Sequence, residues 1–155
     1  MSTDWQAGIT TLLNQSRACF LSTQGELGPE TSMAPFAVHH GTVLLHLSTL
    51  AQHSTNIKAS PSIGLMVCTP ETMESSPLAL PRLSLQGEAL PVADAQLEKA
   101  IAAYLQVIPD AEPLFSFADF QLFEVRPSHI RWVGGFGTAR NISLEKWHSI
   151  SRPDA

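Results

Sequence analysis

The stretch TVLLHLSTLAQHSTNIKASPSIGLMVC, residues 42–68, changes its hydrophobic period twice, and that change decides the fold. Thr42 to Leu47 reads as a strand. Ser48 or Thr49 offers an N-cap hydroxyl, and Leu50, His53 and Ile57 then lie along one face of a helix that Pro61 ends. Ser62 to Cys68 returns to a strand, apolar enough to be central. Upstream, His40–Gly41 turns the chain back into Thr31–Val38, a strand that Pro35 places at an edge or a bulge. Before it, Gln24–Gly28 is the turn after Ala18–Thr23. The chain opens with a helix that Asp4 can cap, with Trp5, Ile9, Leu12 and Leu13 at helical spacing.

Downstream, residues 70–81 form a proline-bearing loop long enough to suggest a role. Arg82 to Glu88 alternates cleanly, with Leu83 and Leu85 on one face and Arg82, Ser84 and Gln86 on the other. Asp94 caps a helix carrying Leu97, Ile101, Tyr104, Leu105 and Ile108, and Pro109 closes it. Phe120–Phe123 and His129–Val133 are two further strands with Pro127–Ser128 as the turn between them. Ser143 caps a short last helix, Leu144–Ile150. About seven strands and three or four helices result, antiparallel by their short connections. Helices interrupt the strands only twice, so a doubly wound sheet does not fit, and a small closed or split barrel does.

The bulk numbers agree with one mainly β (α+β) domain over residues 1–155, with an N-terminal helix in 1–16 and a helical tail in 143–155. Apolar residues are 44% and charged residues 15% of the chain, as in a compact globule. The net charge of −5 and the lack of a basic patch argue against nucleic acid. The apolar runs are too short to cross a bilayer, and the first residues do not form a signal peptide. Two cysteines, Cys19 and Cys68, sit in strand-like stretches without zinc spacing, which suggests buried thiols in a reducing cytoplasm.

Nucleotide-loop, nucleophile-elbow and zinc-hydrolase motifs are absent from the sequence. Four features carry possible chemistry. Ser48 and Thr49 at a helix start, with His53 and Asn56 following, can cradle a phosphate, although the same pattern serves as an ordinary cap. Arg82, just after the proline-rich loop, can meet a phosphate or carboxylate, or can be a solvated strand edge. The histidines His39, His40, His46, His129 and His148 show no spacing that forces metal binding. The segment RWVGGFGTAR, residues 131–140, ends a strand in Gly134, Gly135 and Gly137 around Phe136. It either turns a tight corner or lets backbone approach a planar ligand.

Taken in order, RACFLST, SMAPF, LSTLAQHSTNIKASP, LALPRLSLQGEA, FADFQLFEVRP and WVGGFGTA resemble the pyridoxamine 5′-phosphate oxidase-related superfamily, and within it the HugZ/HutZ-like heme-utilisation branch. The resemblance covers about residues 16–142 and implies an FMN-binding type of split β-barrel that forms a homodimer with a small-molecule cofactor between subunits. For a flavin-dependent oxidoreductase it implies FMN held by Ser48, Thr49, His53, Asn56, Arg82, Gly135, Phe136 and Gly137. Many such oxidases carry Lys or Arg near the position of His53, and Thr138 also departs from the heme branch. The heme branch implies instead a tail histidine as iron ligand, His148, supported by Asp119. A cofactor-free binding module is the third reading. No side chain stands out as a catalytic acid or base.

Overall fold

The computed structural model describes residues 4–151. Helix α1 (Asp4–Asn14) leads into an antiparallel hairpin, β1 (Ala18–Gly25) and β2 (Gly28–Pro35). After Phe36 the chain resumes as β3 (Ala37–His39) and turns into β4 (Thr42–Ser48). Then follow α2 (Gln52–Ala59), β5 (Ser62–Cys68), β6 (Arg82–Pro91) and α3 (Asp94–Val107). A 3₁₀ segment, Pro109–Ser116, precedes β7 (Phe120–Val133), β8 (Ala139–Ile142) and α4 (Leu144–Ile150). Among the described residues no helix is long and apolar enough to cross a membrane.

The strands form one antiparallel sheet in the order β2-β1-β5-β6-β7-β4-β3, with β8 added to β7. This is the expected split barrel, and its curvature comes from two sequence features. The first is Pro35. The expected strand Thr31–Val38 is broken here, so that β2 lies at one end of the path and β3 at the other. Phe36 bridges them: its N–H donates to the Arg17 carbonyl at 3.0 Å, and its ring is buried in the core. A single extended run thus spans both edges of the sheet and draws β2 against β4.

The second feature overturns an expectation. Pro127–Ser128 is not a hairpin turn between two strands. It lies inside the single 14-residue strand β7, opposite a bulge. Gln86 pairs with His129 and Gly87 with Pro127, so Ser128 is the extra residue, and its hydroxyl donates to the Gln86 carbonyl at 3.2 Å. Proline is tolerated because β7 has no partner on its other edge there: β4 pairs up to Val125 and β8 only from Ile130. A bulge adds twist and bend, which re-aims the second half of β7. Gly87 makes it possible, since a Cβ there would collide with the Arg126 carbonyl. Gly87→Ala is expected to cost about 2 kcal/mol, read as a lower urea midpoint at constant slope. An unchanged midpoint would show that the bulge can relax around a methyl group.

An eighth strand is the other addition. Val133 pairs with Ala139, so Gly134–Thr138 is a hairpin loop and not the end of the last barrel strand. The Gly134 N–H donates to the Thr138 carbonyl at 3.1 Å, and Gly135 and Gly137 take φ of 143° and 69°. Phe136 projects outward from this loop and is mostly exposed, so it takes no part in the core. At the other end, His40 and Gly41 both have positive φ, as a two-residue type I′ hairpin requires.

The barrel interior is filled by one side of each strand, including Leu21, Val43, Leu45, Leu65, Leu85 and Val125. Ile9 and Leu12 of α1 and Trp147 of α4 complete that core. A second, smaller core lies outside β4 and β7, where α3 sets Ala100 and Tyr104 against Ala37, Leu44 and Leu122. Leu97, Ile101, Leu105 and Ile108 are only half-buried there. Asp94 is the first helical residue of α3, and Ala93 holds the cap position. Of the two thiols, Cys19 is buried and burial pushes it up to about 12, while Cys68 is half-buried.

Candidate functional site

The residues singled out by sequence fall into two groups. The first is the corner where β4 ends. Ser48 and Thr49 do not cap α2, because Leu50 and Ala51 separate them from its first residue and Ala51 holds the cap position without a side-chain bond. They are drawn instead toward Asp119, which precedes β7. The Thr49 N–H donates to the Asp119 carbonyl, and the Ser48 hydroxyl reaches the Asp119 carboxylate at 3.5 Å. The same hydroxyl accepts the Leu50 N–H at 3.2 Å. The Ser48 carbonyl accepts the Ser54 hydroxyl at 2.6 Å and the Ala51 N–H at 3.1 Å.

His53 and Asn56, next along α2, are also engaged. His53 Nδ1 lies 3.0 Å from the Ser32 hydroxyl, and burial holds its pKa below the usual histidine value. Histidine near its ordinary value is already mostly neutral at pH 7, so this ring brings no standing positive charge. Asn56 is buried and structural. Its amide donates to Thr23 Oγ1 at 3.0 Å and to Glu30 Oε1 at 2.5 Å, and its oxygen accepts from Gln52 at 3.0 Å. Leu50, expected on the inner face of the helix, is outside α2 and exposed.

The second group sits at the far end of the sheet. Arg82 pairs with Val133, next to the glycine loop, and its guanidinium donates to the Leu80 carbonyl at 3.0 Å. Gly135 comes close to Ala79 of the 70–81 loop, which contains a short 3₁₀ turn at Pro77–Ala79. Arg82, Gly135, Phe136 and Gly137 therefore form one neighbourhood. It is separated from Ser48 by the run of β7 from Phe120 to Val133, roughly 40 Å measured along a strand that bends at its bulge. One chain does not bring the two groups together.

The histidine expected as an iron ligand is likewise far from its expected support. His148 packs its ring over Gly41, where a Cβ would collide with the imidazole. Gly41 precedes β4, and Asp119 meets the other end of that strand, about 20 Å away. His39 and His40 lie edge to face beside the same turn, with ring centroids 4.2 Å apart. Among the described residues no cluster of three or more His, Cys, Asp or Glu side chains is arranged to hold a metal ion.

Between the two groups runs the outward face of β1, β2, β5, β6, β7 and β8, which no helix among the described residues covers. Its cleft of about 670 Å³ is lined by Phe20, Gly64, Met66, Gln86, His129 and Arg131, among others. Phe20 is 60% exposed on it, and its cross-strand partner Met33, on β2 beside the cleft, is equally exposed. Sequence reading passed over this face. The signal was present in β5, where Gly64 and Met66 alternate with the buried Ile63, Leu65 and Val67.

The model of the CREG β-barrel family matches residues 21–149. The chain belongs to that family. Among curated relatives of this CREG-type barrel, the chloroplastic heme oxygenase HOZ of Arabidopsis thaliana is 32% identical over 84% of this chain. The heme oxygenase HutZ of Vibrio cholerae is 27% identical over 74% of it. The chain spans 40% of the length of HOZ and 67% of that of HutZ. A heme-binding protein from Mycobacterium smegmatis superposes with a TM-score of 0.84 at 26% identity, over 94% of this chain and 60% of that one. The superfamily and the heme-utilisation branch read from the motifs are thereby borne out.

Proposed function

We propose that this CREG-type barrel binds heme as a homodimer, with the porphyrin in a cleft between the open sheet faces of two subunits. The observation that carries the reading is the separation of the two residue groups by an uncovered apolar face. A two-fold axis across that face sets the far end of one chain beside the β4 corner of the other, which completes a single site. Phe20 and Met66 in the cleft, with Met33 beside it, offer apolar surface to a large planar ring, and Arg131 offers a cation for carboxylate side groups. The names of HOZ, HutZ and the mycobacterial protein support heme over flavin. Bound heme would supply iron redox and oxygen chemistry, while the chain supplies the cleft, its partial dryness and the axial imidazole.

Two histidines compete for that last role. His148 with Asp119 in support is the pairing that the family resemblance suggests; the two lie far apart within one chain, so this support would have to come across the subunit interface. His129 lines the cleft itself and meets only the Ser128 hydroxyl, at 3.2 Å. Titration of the purified chain with hemin should give a Soret band at one heme per subunit or per dimer, and light scattering should give twice the chain mass. The alanine variant that shifts the ferric Soret band and weakens binding identifies the ligand, either His129→Ala or His148→Ala. A chain that stays monomeric at micromolar concentration and gives no Soret shift would remove the heme reading.

FMN is the alternative cofactor, with Arg82 contributed by the partner subunit, but its phosphate would have to displace hydrogen bonds that Ser48 and Thr49 already make. The cytoplasm is the compartment that two unpaired thiols suit best.

A further inference from the structure

We infer that Asp119 sets ligand selectivity at the β4–α2 corner by rejecting phosphate esters, so that a planar cofactor reaching this corner is accepted without a phosphate and disfavoured with one. The inference deepens the cleft proposed above, and it rests on that cleft only for the ring of the ligand. Its grounds are the hydrogen bonds of the corner. A phosphate cradle at the start of a helix needs free N–H groups, free hydroxyls and a cation. Of the N–H groups leading into α2, those of Thr49, Leu50 and Ala51 are spent, on Asp119, the Ser48 hydroxyl and the Ser48 carbonyl, which leaves those of Gln52 and His53. The Ser48 hydroxyl already faces the Asp119 carboxylate, and the Ser54 hydroxyl is spent on the Ser48 carbonyl. The basic residue of α2, Lys58, stands in its last turn, at the far end from the corner.

A phosphate dianion placed here would displace internal hydrogen bonds and sit against a carboxylate. Like charges a few ångströms apart repel strongly in a half-buried site, where water screens poorly. The carboxylate edges of a porphyrin would meet the same repulsion and turn toward Arg131 at the other end of the cleft. Exposed Leu50 and Phe117 flank the corner, so its rim is apolar while its base is acidic. That combination suits an uncharged ring edge.

The test compares FMN with riboflavin, which differ only in the phosphate. Flavin fluorescence should show wild-type protein binding FMN no better than riboflavin at low salt. Asp119→Asn keeps the size and the hydrogen-bonding oxygen and removes the charge, and it should raise the FMN-to-riboflavin affinity ratio about tenfold. In the wild-type chain the ratio should also rise as salt goes from about 0.02 to about 0.5 M, because screening weakens repulsion. Three results overturn the inference: a wild-type preference for FMN that weakens with salt, an Asp119→Asn ratio equal to wild type, or no binding of either flavin by wild type and Asp119→Asn alike. Should the amide variant fail to fold, Asp119→Ser and the salt series carry the same decision. Failure of hemin binding would leave these flavin ratios unaffected, so the two proposals fail separately.

Discussion

Replacing Trp147 by alanine should remove about 4 kcal/mol of stability, the largest loss expected from any single truncation in this chain. Trp147 is fully buried, and it fastens α4 to the barrel in two ways. Its indole fills the main core, and its Nε1–H donates to the Gly41 carbonyl at 2.8 Å. Gly41 belongs to the type I′ turn between β3 and β4, whose positive φ values leave little freedom to move toward another donor. Truncation therefore leaves a cavity and an unpaired carbonyl together. Trp147→Phe fills most of the cavity but still lacks the donor, and it should cost about 1–2 kcal/mol. Urea unfolding of both variants checks the pair. A loss below about 1 kcal/mol for the alanine variant would mean that α4 is not fixed by this residue. The helix also carries His148, so a loosened α4 should weaken hemin binding if His148 is the ligand and leave it alone if His129 is.

Most of the barrel was legible in the sequence because its strands alternate and its turns use residues that few other conformations tolerate. Ser62–Cys68 was read to the residue, and His40–Gly41 was read as a turn, which their positive φ values explain. What misled was local chemistry with two solutions. Pro127–Ser128 is a good turn signal, and only pairing with β6 and Gly87 makes it a bulge inside one strand. Ser48–Thr49 is a good cap signal, but Asp119, distant in sequence, captures both residues and delays the helix to Gln52. The glycines of GGFG were correctly recognised as needing a reason. That reason is a hairpin loop, and the four-residue β8 beyond it, ARNI, was too short and too polar to announce itself. The open sheet face was missed for a different cause. A period-2 pattern tells which residues point away from the core, and not whether anything covers them.

His46→Phe should make the protein more stable at neutral pH and much less sensitive to acid. His46 lies on β4 facing the outer core, stacked on Phe115 with ring centroids 3.7 Å apart and near Tyr104 and Phe120. It is only 6% exposed, and its Nδ1 has no hydrogen-bond partner. Burial without a partner lowers its pKa from 6.5 to about 4. The sign of the effect follows. Between pH 6.5 and 4 the unfolded chain binds a proton at this position and the folded chain does not, so stability falls as pH falls through that window. The whole effect amounts to about 3 kcal/mol, most of it gone by pH 4. Phenylalanine keeps the aromatic stack, removes the orphaned nitrogen and does not titrate. It should gain about 1 kcal/mol at pH 7 and lose far less than wild type at pH 4.5. His53 and His39 are also lowered by burial, so a smaller acid sensitivity of the same sign should persist in the variant. Urea midpoints of both proteins at pH 7.5 and pH 4.5 decide the matter, and equal acid losses would show that His46 is not the buried group that titrates.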